Sequence, residues 1–175
     1  MAGIAGCVAI GWIALVLGRP VPVLTLVNLG FHELGHLLTY PFPDLVTAAM
    51  GSVSQIVVPI GLAVYFALPR RDLLGAGLCL AWAGSAAQEA SVYVADAPFQ
   101  RLELIGGEHD WAFVLGRLEA LDASNELAAT VLALAWLLVL VGAATCAWGL
   151  VRLRAPSVRV LPPAAVSVRP ISWEG

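Results

Sequence analysis

Phe31-His32-Glu33-Leu34-Gly35-His36-Leu37-Leu38 lies inside an apolar stretch that runs from Val23 to Tyr40. Two histidines four positions apart project from one face of a helix, so both imidazoles can reach one Zn²⁺. Glu33, beside the first histidine, is placed to act as general base toward a water on that metal. The same eight residues bear on the fold, because a His-Glu-x-x-His pattern embedded in leucines reads as a membrane helix carrying a buried site. Ionisable groups inside such a helix are costly and mark function.

The rest of the chain agrees with a membrane setting. Of 175 residues, 60% are hydrophobic and 12% charged, and mean hydropathy is +0.88. A soluble domain carries roughly 25% charged residues. Nine arginines and no lysine are scattered, with no basic cluster of the kind that binds nucleic acid. Cys7, Cys79 and Cys146 all fall in apolar segments without Cys-x-x-Cys spacing. They read as packing thiols rather than a disulfide framework or a cysteine zinc site.

Five apolar segments follow one another: Ala2 to Gly18, Val23 to Tyr40, Leu45 to Leu68, Leu73 to Ala95 and Leu127 to Val151. Arg19-Pro20-Val21-Pro22 and Pro41-Phe42-Pro43-Asp44 separate the first three, while Gly51 and Pro59 interrupt the third. A hydrocarbon core needs about 20 helical residues, and the first two segments are at the short end. The expected architecture is an all-α membrane protein of about five transmembrane helices. Residues 1–151 form the membrane domain, and a proline- and arginine-containing tail, 152–175, is expected to be extended or disordered. The first segment lacks a basic leader, which argues against a cleaved signal peptide.

With the N-terminus outside, Arg19, Arg70, Arg71, Arg152 and Arg154 all face the cytoplasm, as the positive-inside rule favours. The C-terminal tail is then cytoplasmic. The connection from Asp96 to Glu126, with seven acids against Arg101 and Arg117, lies outside. Gly106-Gly107 permits a tight turn there. The apolar positions Trp111, Val114, Leu115, Leu118 and Leu121 then recur at helical spacing, an amphipathic helix on the membrane surface or on the bundle. Asp122, Ser124 and Glu126 suit the start of the last span.

A catalytic zinc needs three protein ligands and an open position. The only histidine besides His32 and His36 is His109, so it is the first choice for the third ligand. Asp110 is the alternative, with capping of the following helix as its competing role, and Glu108 is less favoured. Under the orientation above, these residues and the end of the second segment that bears His32 and His36 lie on the same side. Asn28, one turn before His32, suits a ligand- or substrate-orienting role or an interhelical hydrogen bond. Other polar residues within spans are Ser52, Ser54 and Gln55 on the third segment, and Ser85, Gln88, Glu89, Ser91 and Tyr93 on the fourth. Glu89 is the most costly in lipid. A partner to a ligand or a packing role ranks above direct ligation for it, and Gln55, like Asn28 and Glu89, is expected to support a ligand or face the substrate. Trp111 reads as an anchor at the lipid interface.

The motif resembles the site-2 protease group of membrane zinc metalloproteases. On that resemblance His32 and His36 map onto the histidine ligands, Glu33 onto the catalytic glutamate and Gly35 onto a glycine typical of the group. It implies zinc-dependent hydrolysis of a peptide bond in or beside the bilayer, with a membrane protein or peptide as substrate. It covers mainly the second segment. The group takes its third ligand from an aspartate in an Asp-Gly setting on a later membrane helix. No Asp-Gly dipeptide occurs here, and Asp110-Trp111 is the nearest stand-in. Two alternative classes are a membrane protein that transports or senses zinc without hydrolysis, for which further carboxylates or histidines along a path are sparse, and a structural or partner-binding scaffold with a vestigial site. Intact Glu33 argues against the second, because metal binding alone does not require it.

Overall fold

The computed structural model describes residues 1–104 and 108–154. The Gly106-Gly107 turn and the tail beyond residue 154 lie outside the described residues. Among those described there are six helices and no strand: α1 (Ala2–Gly11, running into a wider π-type turn, Trp12–Val16), α2 (Leu24–Thr39), α3 (Asp44–Ala67), α4 (Leu73–Asp96), α5 (Asp110–Arg117) and α6 (Ser124–Arg154).

The five apolar segments become α1, α2, α3, α4 and α6, each beginning near its sequence punctuation. Asp72 caps α4 by accepting the backbone N–H of Leu74 and Gly75, both at 3.0 Å, which satisfies donors that the helix start leaves without partners. Pro43 precedes α3, and Asp44 adds a negative charge to its first turn. Contrary to the expected interruptions, α3 runs through Gly51 and Pro59 as one helix of 24 residues.

The expectation of about five spanning helices is met in length and apolarity by two, Asp44–Ala67 and Leu121–Leu153. The reason differs for each of the others. The first helix is short, and α2 has 16 residues. The 24 residues of α4 are diluted by alanine, glycine and a polar strip.

That dilution makes α4 the centre of the bundle. Ala81, Ala83, Ala86, Ala87 and Ala90 are buried along it. A side chain at Gly77 would run into Cys146 and the Gly142 carbonyl, and one at Gly84 into Val139 and the Ala135 carbonyl. Backbones of α4 and α6 therefore approach closely over small residues. In an apolar medium this packing substitutes for the hydrophobic drive between helices. On α2 large apolar side chains face outward instead: Leu26 is 72% exposed and Leu37 71%.

The amphipathic helix is shorter than its apolar periodicity predicts. It ends at Arg117, and the chain turns through a left-handed Glu119 (φ 53°) before α6. It packs on the bundle, burying Val114 and Leu115. Trp111 is not a free interfacial anchor, since its indole N–H donates to Ser52 Oγ of α3 at 2.9 Å.

Candidate metal centre

The helix period puts His32 and His36 on the face of α2 that meets α3. Gly35 allows that meeting, because a Cβ there would collide with the Met50 carbonyl and Ser54 Oγ. Ser54 in turn donates to the Phe31 carbonyl at 2.5 Å. At the far end, Thr47 Oγ1 donates to the Thr39 carbonyl at 2.8 Å. These bonds hold α2 and α3 in register, so that the Thr47 carbonyl accepts a hydrogen bond from His36 Nδ1 at 2.8 Å. With Nδ1 as donor, Nε2 keeps its lone pair free for a metal.

The third member comes from α5. Asp110 Oδ2 lies 3.0 Å from His32 Nε2 and 3.3 Å from His36 Nε2. One ligand atom from each of His32, His36 and Asp110 lies within 4.8 Å of the other two. Ligand atoms around a tetrahedral zinc with bonds of about 2.0–2.1 Å are separated by about 3.3 Å, close to the two separations between Asp110 and the imidazoles, and a two-imidazole, one-carboxylate donor set suits zinc. A further observation agrees. A Cβ at Gly51 would stand 2.5 Å from His36 Nε2 and 2.6 Å from His32 Nε2. The glycine leaves room where the ligand nitrogens converge.

His109, the first-choice ligand from sequence, is not in this group. It caps α5, its Nδ1 accepting the Ala112 N–H at 3.2 Å. Its ring stacks on Tyr93 with centroids 4.2 Å apart. Its Nε2 is buried, 3.4 Å from Asp96 Oδ2. The two neighbours have exchanged roles: the histidine takes the cap expected of the aspartate, and the aspartate turns toward α2. Glu108 lines the cavity described below and is outside the ligand group.

The centre opens into a cavity of about 1020 Å³ whose lining includes Glu33, Gln55, Glu89, Tyr93 and Phe113. Glu33 is exposed there. Glu89 does not touch the histidines. Its carboxylate accepts Thr25 Oγ1 at 2.7 Å and Asn28 Nδ2 at 2.8 Å. Asn28 is fully buried, and its own oxygen accepts the Trp82 indole N–H at 2.7 Å. Thr25, Asn28, Trp82 and Glu89 thus form a polar bridge between α2 and α4. Gln55 donates to the Ala86 carbonyl at 3.1 Å, joining α3 to α4. Asn28, Glu89 and Gln55 therefore hold the helices that carry the site, and two of them also face the cavity.

Sequence reasoning named Tyr93 only as one of the polar residues of the fourth segment, without a role, and did not name Thr47 or Trp82. A weak signal existed for the first: Tyr93 follows Glu89 by four positions, on the same face of α4. A backbone carbonyl such as that of Thr47 leaves no signature in side-chain identity. Comparison of the chain with protein-family models, with curated proteins and with solved structures gave no match.

Proposed function

We propose that the chain is a membrane-embedded zinc metallopeptidase, similar in its motif to site-2 proteases, which cleaves peptide bonds of a membrane protein or peptide in or near the bilayer. The observation that carries this reading is the convergence of His32, His36 and Asp110 beside Glu33, at the wall of one large cavity. A carboxylate third ligand also brings the donor set closer to the resembling group than a histidine would.

Zinc, when bound, supplies a Lewis acid for a carbonyl oxygen and makes a water molecule more acidic. His32 and His36 would hold it through Nε2 and Asp110 through its carboxylate, with the His36 tautomer set by the Thr47 carbonyl. Glu33 accepts the proton of the attacking water and returns it to the leaving amine. The Gln55, Glu89 and Tyr93 side of the cavity offers polar surface at a depth where lipid offers none.

The exposed apolar faces of α2, α3 and α6 support a lipid environment. In the proposed topology the chain crosses the membrane several times, with the N-terminus outside and the tail in the cytoplasm. The 16 residues of α2 reach about 24 Å, so α2 is read as entering the bilayer beside the full spans α3 and α6.

The reading is tested by metal analysis of the purified chain, together with cleavage of a quenched-fluorescent hydrophobic peptide in detergent or nanodiscs. One zinc per chain and a cleavage activity removed by a chelator are expected. One zinc with no cleavage of any peptide would favour the non-hydrolytic metal-binding class.

A further inference from the structure

Tyr93 sits on α4 and lines the same cavity as the candidate ligands. Its phenol oxygen accepts the backbone N–H of Asp110 at 3.0 Å and lies 3.3 Å from Asp110 Oδ2. A phenol has one O–H to donate and lone pairs to accept. With a lone pair engaged by the Asp110 N–H, the O–H is directed to Oδ2. Both hydrogen bonds therefore close on a single residue, and the carboxylate oxygen involved is the one that faces His32 and His36. The ring itself is held in place. It stacks on His109 at 4.2 Å with an interplanar angle of 27°, and its centroid is 6.0 Å from that of His32.

We infer that Tyr93 is a positioning residue of the metal centre, its hydroxyl clamping Asp110 so that Oδ2 points between the two imidazoles. The need for a clamp follows from where Asp110 comes from. His32 and His36 share one helix, whereas Asp110 begins a short helix after a long connection. Its carboxylate can also rotate about the bond to Cβ. A bond to the backbone N–H fixes where α5 starts, and a bond to Oδ2 fixes the rotation. Partners of this kind, one step removed from the metal, typically change metal affinity by about 10–100-fold. The inference rests on the zinc reading above and is independent of whether the centre hydrolyses peptides.

The test uses the full chain in detergent, with Tyr93→Phe removing the hydroxyl and keeping the ring that stacks on His109. Zinc affinity is measured by competition with a fluorescent chelator, and Co²⁺ is substituted to read the ligand geometry from its visible bands. We expect the zinc Kd to rise about 10–100-fold and the cobalt bands to shift in position and intensity. A fluorinated tyrosine at position 93 is the second variant. It preserves packing and strengthens the donor, so it too should shift the cobalt bands. Unchanged affinity, or weaker affinity with unchanged cobalt bands in both variants, overturns the role of Tyr93 and leaves the metal centre standing. A wild-type chain that binds zinc, cleaves nothing and still responds to Tyr93→Phe keeps the clamp and removes the hydrolytic reading. A wild-type chain that binds neither zinc nor cobalt overturns both.

Discussion

Asp110 Oδ2 stands 3.0 Å from His32 Nε2, although the two residues are 78 positions apart in the chain. Several independent bonds bring them together. Trp111 ties the start of α5 to Ser52 on α3, Tyr93 ties it to α4, and α3 holds α2 through Ser54, Thr47 and the close approach at Gly35. The site is assembled where α2, α3, α4 and α5 meet, and each helix contributes one part of it.

The ligand set predicts an order of effects. On the proposed zinc reading, His32→Ala, His36→Ala and Asp110→Ala should each abolish stoichiometric zinc, because each would remove one of three protein ligands. His109→Ala should keep zinc and lower thermal stability, since it removes a helix cap worth about 0.5–2 kcal/mol. Metal analysis and thermal unfolding of the four variants would check this. A greater zinc loss in His109→Ala than in Asp110→Ala would return the third position to the histidine.

Binding and chemistry should separate at position 33. Glu33→Gln keeps the shape of the side chain but cannot take a proton from water. Zinc content should be unchanged and the cleavage rate should fall by about 10²–10⁴-fold. Any wild-type peptidase activity that survives the substitution shows that another group is the base.

Gly51 should be intolerant for a local reason. A single methyl group there meets both ligand nitrogens, so Gly51→Ala should weaken zinc binding at least about tenfold, equivalent to ~1.4 kcal/mol. Helix content by circular dichroism should stay at the wild-type level. Zinc titration at wild-type affinity would mean that the imidazoles lie farther from α3.

Asn28 bridges Trp82 and Glu89, so Asn28→Ala leaves an indole N–H and a carboxylate oxygen without their partner. Each buried group left unpaired costs about 1–3 kcal/mol. The midpoint of thermal unfolding in detergent should drop clearly, more than for Thr25→Ala, where Glu89 keeps its bond to Asn28. Equal midpoints for wild type and Asn28→Ala would show that the bridge contributes nothing to stability.

Topology is open to cysteine labelling in a background lacking Cys7, Cys79 and Cys146. Asp122→Cys should react with an impermeant maleimide from outside the cell and Arg70→Cys only after permeabilisation, as the arginine distribution requires. Labelling of both from the same side would refute the proposed orientation.

Helix starts and the pairing of His32 with His36 were legible in the sequence because both are local. Prolines and Ser124 punctuate the chain within a turn of where they act, and an i, i+4 spacing describes one face of a helix whatever surrounds it. The count of spanning helices was less legible. Hydropathy does not distinguish an apolar helix facing lipid from one, such as α4, whose alanines and glycines are packed inside a bundle. Its polar strip, Ser85 to Tyr93, is spent on hydrogen bonds within the protein: Asn28 and Thr25 with Glu89, Gln55 with Ala86, Tyr93 with Asp110.

The choice between His109 and Asp110 shows the limit most clearly. Consecutive residues at a helix start point about 100° apart, so only one of them can face α2. Residue preference favours aspartate at the cap and imidazole on zinc. In the structure the histidine takes the cap and the aspartate carboxylate turns toward His32 and His36, because the phase of α5 is set by contacts distant in sequence: Trp111 on Ser52, Tyr93 on the Asp110 backbone, and the His109 ring stacked on Tyr93. By itself the sequence determined that this is a helical, strongly apolar chain with two metal-competent histidines and a carboxylate beside them, since periodicity and composition are properties of a segment alone. That Asp110 rather than His109 meets the two histidines, and that Tyr93 bonds to it, was decided by tertiary structure, because both depend on the rotation of one short helix against three others.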